Sequence, residues 1–474
     1  MRTFLLCLLA IVLARPATAA LQAGAAVSNI TPEIGGKIIG GFVPYPSTHI
    51  HDDLHVRCLV LDDGETKIVL AVCDLLGINR VVSDEARKLI AQRHNIPREC
   101  VMICATHTHS AISALGTDSR KLGQTANDYQ TFVARRICDG VSRALNNMRP
   151  AEIAFGQTEA PEHVFNRRWH MKPGTVPVNP FGGLDQVKMN PPRGNDNLEK
   201  PAGPTDPTVS FLAVREPDGR PIGLFASYSL HYIGGVGRGH VSADYFAVFS
   251  EHLKSLLADQ AGDDPDAPPF VAMLSNGTSG DINNINFTHP RPRKKPYEQM
   301  RYVGQDVARK VRDAMTSLKY QKEIQLAAVY REPTLTWRRP TAKQRKWAEE
   351  TLAAGKQRDR DLSYIYAQRT MRLTEYPETT TAPVQVLRIG DVCIGTLPFE
   401  VFCEIGLEFK ERSPLKSSFL VSLTHGYFGY LPTPRQHRLG GYETWLGTNR
   451  VEPEASEKLL ATLLEMAKEL AAKR

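Results

Sequence analysis

The feature that most constrains this chain is the passage Val101-Met-Ile-Cys-Ala-Thr-His-Thr-His-Ser110, an apolar run that stops abruptly in polar residues carrying two histidines. Consecutive apolar residues bounded in this way read as a strand buried on both faces. Residues two apart on an extended chain share a face, so His107 and His109 would address one cavity beyond the strand's C-terminal end. That is half of a metal site. The other reading is a strand end where one histidine caps a neighbouring carbonyl and the other is solvated.

Similar strand ends recur along the chain. Residues 222–230 form a second apolar run closing in Ser229-Leu-His231, which places another imidazole at a strand end. The run 270–274 leads into Ser275-Asn-Gly-Thr-Ser-Gly-Asp281, a small polar loop whose N–H groups suit an anion or oxyanion, or else a tight structural turn. Residues 392–395 and Leu397-Pro-Phe precede Glu400, which can cap the helix expected over 401–410 or ligate a cation. Asp74 closes the strand 67–73, either as a functional side chain or as a cap for the next turn. The loop-rich stretch 157–205 carries Asn166-Arg167-Arg168 and His170, and an arginine there can hold a substrate carbonyl or carboxylate or enter an ion pair. His49 and His51 precede the first long strands as possible site-lining, solvated or capping residues.

Between these runs the pattern is helical. A hairpin at Asp62-Asp-Gly-Glu65 joins two strands, followed by an amphipathic helix over 82–94 with Ser83 as N-cap and a helix over 128–148. A helix over 245–257 is expected behind Asp244, a hairpin over 383–395, and an amphipathic helix over 454–472. Strand, helix, strand, helix in this order predicts an α/β fold of mixed β-sheets flanked by helices.

The first twenty residues combine Arg2, an apolar core over 3–13, and the small residues Ala17 and Ala19, the pattern of a secretory signal peptide. No later run reaches the roughly 18 apolar residues of a membrane span. A secreted or periplasmic protein is therefore expected, with residues 21–474 forming one large domain. The net charge of +7 is concentrated in Arg291-Pro-Arg-Lys-Lys295 and in 338–346, a solvated basic face or one open to contact with an anionic membrane surface. No interleaving of aromatic with basic residues speaks for nucleic acid. Of eight cysteines, seven remain beyond the signal segment, so at least one is unpaired, and no Cys-X-X-Cys suggests a thiolate zinc site or a disulfide framework.

Read in order, Ile30-Thr-Pro32, Ile50-His-Asp-Asp-Leu54 with Arg57-Cys-Leu-Val-Leu61, Ala105-Thr-His-Thr-His-Ser110, Asn166-Arg167, Gly280-Asp281, Leu397-Pro398 with Glu400, and Tyr430 with Thr433-Pro434 resemble the catalytic domain of neutral non-lysosomal ceramidases. Those are zinc amidases that cleave the N-acyl bond of ceramide. The resemblance implies one zinc ion per chain, held by His107, His231, Glu400 and Tyr430. It implies His109 beside the substrate amide as a proton donor to the leaving amine, Arg167 and Tyr442 at the substrate carbonyl, and Asp281 as a further catalytic residue. A small-molecule or lipid substrate follows, and the oligomeric state stays open.

The chain departs from the family pattern at Asn283, where the family carries serine, and at Ala111-Ile112, where it usually continues Gly-Pro. No β-sandwich is expected after the catalytic domain. On the same scaffold the alternatives are a zinc hydrolase of another amide, ester or lactone, and a binding protein without turnover.

Overall fold

The computed structural model describes residues 20–116, 121–260, 262, 264, 266–358 and 361–472, so the signal-peptide assignment over 1–20 lies almost wholly outside the described residues. The architecture is the same connectivity used three times. In the first unit β1 (Gln22–Asn29), β2 (His55–Asp62) and β3 (Lys67–Cys73) form an antiparallel meander, helix α1 (Arg80–His94) crosses over, and β4 (Val101–Ala105) pairs parallel to β3. Helix α2 (Asp128–Asn146) follows, and β5 (Arg149–Pro150) adds to the far edge, giving the order β4-β3-β2-β1-β5.

The second unit repeats this with β6 (Glu152–Glu159), β7 (Thr208–Arg215), β8 (Pro221–Tyr228), crossover helix α3 (Asp244–Leu256), parallel β9 (Val271–Asn276) and helix α4 (Glu298–Met315). The third uses β10 (Leu326–Arg331), β11 (Val384–Ile389), β12 (Val392–Thr396), crossover helix α7 (Cys403–Arg412) and parallel β13 (Ser417–Val421). Helices α5 (Ala342–Ala353) and α6 (Leu362–Thr374) are inserted between β10 and β11. The short α8 (Pro434–Leu439) and the long α9 (Ala455–Ala472) end the unit.

Packing explains why these strands read as unbroken apolar runs rather than as alternating ones. Side chains alternate between the two faces of a strand, and here both faces are covered. Leu59, Leu70, Val72 and Met102 of the first sheet, Leu212, Phe225 and Met273 of the second, and Leu387, Ile394 and Phe419 of the third point inward and share one apolar core. Their neighbours point outward onto helices: Val69 and Ile103 toward α1 and α2, Leu224 and Leu274 toward α3 and α4, Val386 and Leu420 toward α7 and α9. The expected class, mixed β-sheets flanked by helices, is the one observed, and the structure supplies the strand order.

Each of these three large sheets contains one parallel pair, and parallel neighbours release the chain at the same end of the sheet. Loops leaving β3 and β4, β8 and β9, and β12 and β13 therefore all open on one place, where His107, His231 and Glu400 lie.

Several local expectations are corrected. Helix α1 is capped by Asn79, whose side chain accepts from the Val81 N–H; Ser83 sits in the first turn with its hydroxyl 3.1 Å from His425 Nδ1. Asp244 is the first residue of α3, at φ +59°, and its carboxylate accepts N–H groups of Tyr245, Ile233 and Gly234, tying the loop after His231 to the helix. Helix α7 starts at Cys403, because Glu400 and Val401 pair with Tyr430 and Leu431 in a two-residue parallel ladder. The stretch 157–205 holds a small sheet of strands Arg168–Met171, Val187–Met189 and Leu198–Pro201. The seven cysteines of the described residues are free thiols, all buried.

Candidate metal centre

The three loops bring buried nitrogen and oxygen atoms together with no proton to share. His107 follows β4, but it is not extended: its φ is +72°, and its N–H bonds to Leu75 O at 2.9 Å. The reading of a continuing strand, with both imidazoles on one face, is therefore replaced by a left-handed kink that turns the His107 ring into the centre. Its Nδ1 lies 2.6 Å from the carbonyl of Leu76, just past β3. A carbonyl can only accept, so Nδ1 carries the hydrogen and Nε2 is left as a bare lone pair.

His231, three residues past β8, is oriented in the same way by Ser279 O at 3.0 Å from its Nδ1, and its Nε2 has no hydrogen-bond partner. Both lone pairs converge on Glu400, whose Oε2 lies 3.2 Å from His107 Nε2 and 3.6 Å from His231 Nε2 and accepts no hydrogen bond. Burial is the main reason His231 is pushed far below the ordinary imidazole value.

Two bare imidazole nitrogens facing a buried carboxylate oxygen are an arrangement that a cation completes. The mixed nitrogen and oxygen donor set suits a borderline ion such as zinc. Tyr430 is brought alongside by its ladder pairing with Glu400, and its phenol is pushed up chiefly by burial and then by Glu400.

His109 joins the cluster as well. Its Nε2 is 3.1 Å from His107 Nε2, its ring stacks on Tyr232 at 3.6 Å, and burial followed by His107 holds it far below the ordinary imidazole value. One ring nitrogen from each of His107, His109 and His231 lies within 4.8 Å of the others, so three imidazoles border the centre. A Cβ at Gly40 would come within 2.3 Å of the His109 carbonyl oxygen, and only glycine lets that turn lie against the histidine.

Arg167 is buried beside the cluster, with its guanidinium 5.3 Å from the Tyr430 ring centroid and Nε donating to Glu443 at 2.9 Å. Its Nη2 is buried without a partner. Burial pulls its pKa down, but Tyr430 and Glu443 outweigh this and raise it. Glu443 also binds Arg168 at 2.7 Å, leaving one carboxylate between two buried guanidiniums. Tyr442 is half-buried, its ring 5.8 Å from that of Tyr430, and it lines a cavity of about 330 Å³.

Other expected residues are used elsewhere. The loop after β9 offers no oxyanion hole: the N–H groups of Gly277, Thr278, Ser279 and Gly280 bond to Tyr228 O, Ser229 Oγ, Gly277 O and Val401 O. Its part is to aim His231 through Ser279 O. Asp281 spends both oxygens on structure, accepting the Cys403 N–H at 2.8 Å and Asn166 Nδ2 at 2.8 Å, so it caps α7 and anchors the Asn166-Arg167 turn; burial pushes its carboxyl up to about 6. Asp74 pairs with Arg57 at 2.6 Å, His51 stacks on Tyr297, and His170 lies in the small sheet.

Sequence reasoning passed over Tyr427, Tyr232 and Glu443. Tyr427 donates to Glu400 Oε1 at 2.7 Å. The available signal was position alone, each residue standing within three positions of a candidate already singled out.

The family model described as neutral/alkaline non-lysosomal ceramidase, N-terminal, matches residues 22–295. The fold is similar to that of the neutral ceramidase from Pseudomonas aeruginosa, at 17% identity and a TM-score of 0.68, covering 95% of this chain and 74% of that one. It is also similar to a structure of a ceramidase complexed with C2, at 16% identity and a TM-score of 0.69, covering 96% and 75%. No curated protein matches by sequence. Glu400, Tyr427, Tyr430 and Tyr442 lie beyond the matched stretch, and the fold alone brings them to the histidines.

Proposed function

Because the chain belongs to the neutral/alkaline non-lysosomal ceramidase family, we propose that it is an exported, zinc-dependent amidohydrolase that cleaves the N-acyl amide bond of ceramide or a related N-acyl lipid with metal-activated water. The observation that carries this reading is the meeting of His107 Nε2, His231 Nε2 and Glu400 Oε2, with no hydrogen among them, at the ends of three parallel strand pairs.

His107, His231, Glu400 and Tyr430 would hold the ion, which supplies Lewis acidity and lowers the pKa of water toward about 7. The chain's own residues do the rest. Arg167, fixed by Glu443, presents an unpaired Nη2 donor to the charge that develops on the amide oxygen, and Tyr442, its ring 5.8 Å from that of Tyr430, would supply a second donor. His109, neutral and half-buried against Tyr232, stands beside His107 to pass a proton to the leaving amine. No helix of the described residues is long and apolar enough to cross a membrane.

The test is zinc content measured together with hydrolysis of a fluorogenic N-acylsphingosine by the native chain and by His107→Ala. One zinc per chain with turnover, both lost in the variant, supports the proposal. Zinc without hydrolysis of any amide moves the reading to esters and lactones, and a native chain that binds no zinc overturns it.

A further inference from the structure

A second concavity, a groove of about 1350 Å³, is lined in part by residues that adjoin those of the centre. Its wall carries five cationic side chains, Arg193, Arg291, Arg293, Lys294 and Lys295. None of the five forms an ion pair among the described residues. The lining holds one carboxylate, Glu162, and that is already bonded to Lys310 at 2.9 Å. Arg193 is half-buried, its guanidinium held below the ordinary value first by burial and then by Arg291, which shows how closely the positive groups are crowded. Gathering uncompensated cations around a hollow costs Coulomb energy that an anion in the hollow reverses.

The groove is joined to the centre by covalent and hydrogen-bonded neighbours. Ile233, two residues past His231, forms part of its wall. So does Asn190, whose N–H donates to Arg167 O at 2.8 Å. Asn283, the residue at which the chain departs from the family's serine, lines it too and donates to Asn190 Oδ1 at 3.0 Å. On the other side of Asn190, strand Val187–Met189 borders the cavity of about 330 Å³ with Phe42, Tyr442 and Trp445, an apolar lining suited to an acyl chain. The segment Val187–Asn190 thus stands between a largely apolar cavity and a cationic groove, and its Asn190 N–H is bonded to the Arg167 carbonyl.

We propose that this groove binds an anionic group, a phosphate, sulfate or carboxylate, carried by the substrate on the amine side of the scissile bond, so that the enzyme acts on acidic N-acyl lipids in preference to neutral ceramide. This deepens the proposed amidase and rests on it for the placement of the scissile bond. A concave wall beside the reacting centre favours a single ligand group over a flat membrane face.

The experiment compares the zinc-loaded native chain on fluorogenic N-acylsphingosine and on its 1-phosphate, both in neutral detergent micelles. The phosphorylated substrate is expected to show a kcat/KM higher by about tenfold or more. That advantage should shrink as salt shortens the Debye length from about 30 Å at 0.01 M to about 3 Å at 1 M. It should also collapse toward unity in R291Q/R293Q and persist in K343Q/K346Q, which removes equal charge from α5. Equal rates on the two substrates, or an advantage unchanged in R291Q/R293Q, overturn the proposal. Acceleration of the neutral substrate by phosphatidylglycerol vesicles, with no preference in micelles, also overturns it and makes the groove a membrane contact. If neither lipid is hydrolysed, fluorescence anisotropy of both labelled lipids decides: tighter binding of the phosphorylated one, lost in R291Q/R293Q, keeps the groove and removes the amidase reading, whereas equal binding removes both.

Discussion

The hydroxyl of Tyr427 donates to Oε1 of Glu400 at 2.7 Å, and Oε2 of the same carboxylate accepts no hydrogen bond and faces His107 and His231. One oxygen is thus fixed by the protein and the other has no hydrogen-bond partner, as a ligand of the proposed ion would. Tyr427→Phe removes only the fixing bond. A lost hydrogen bond behind a ligand typically weakens metal binding by about 10-fold to 100-fold. Zinc affinity measured by competition with a chromophoric chelator should fall within that range, and an unchanged affinity would show that the Tyr427 contact does not orient Glu400.

Bare acceptors crowded in a buried site repel one another when no cation is bound. Stripping the protein with a chelator should lower its Tm, and adding zinc at about 1,000 times Kd should restore about 4 kcal/mol of stability by linkage. Differential scanning calorimetry with and without zinc reads this directly. In His231→Ala the zinc-dependent shift should vanish even if the fold survives; a shift equal to that of the native chain would place the ion elsewhere.

In the proposed mechanism Arg167 is the donor to the reacting carbonyl, and its Nε is anchored by Glu443 at 2.9 Å. Arg167→Gln should lower kcat by about 10²-fold to 10³-fold, the usual cost of losing one oxyanion donor, with zinc stoichiometry unchanged. Glu443→Gln should lower kcat by a smaller factor, because Arg167 stays charged but loses its anchor. Steady-state kinetics with metal analysis separates these outcomes; a variant at Arg167 that retains native kcat would remove it from the mechanism.

His425 is fully buried at φ +59°, between Ser83 Oγ and Gln385 Oε1, each 3.1 Å from a ring nitrogen. Burial first, and then Arg87 and Arg80, keep it neutral far below the ordinary imidazole value. The folded protein therefore does not take up a proton that the unfolded chain binds below about pH 6.5, so stability falls as pH drops through and below that value. Urea unfolding between pH 7 and pH 5 should show this decline, at up to about 1.4 kcal/mol per pH unit for one such group. His425→Gln should reduce the slope by one proton's worth, whatever its effect on absolute stability. An unchanged slope would assign the acid sensitivity to other groups.

Much of the fold was legible because each unit's strands are buried on both faces, so Val101–Ala105, Pro221–Tyr228 and Val392–Thr396 announce themselves as apolar runs. Helix ends were less legible. Both Asn79 and Ser83 are good caps by type, and the choice of Asn79 was made by packing, since Ser83 is drawn into the core to meet His425. The loop after β9 shows the same limit: its small polar residues suit an anion, but neighbouring carbonyls and a serine hydroxyl had already taken their N–H groups.

The sequence by itself determined that histidines stand just beyond buried strands, that a carboxylate and a tyrosine follow in a third apolar region, and that strands and helices alternate. These are properties of short stretches, governed by side-chain periodicity and backbone preference. Only the tertiary structure decided that the parallel pairs of three sheets open on a single point, that Leu76 and Ser279 carbonyls turn the Nε2 lone pairs inward, that Tyr427 claims one oxygen of Glu400, and that Asp281 caps a helix instead of facing the imidazoles. The reason is that each of these depends on a contact between residues far apart in the chain, and no local pattern encodes which distant carbonyl or hydroxyl a buried polar group will find.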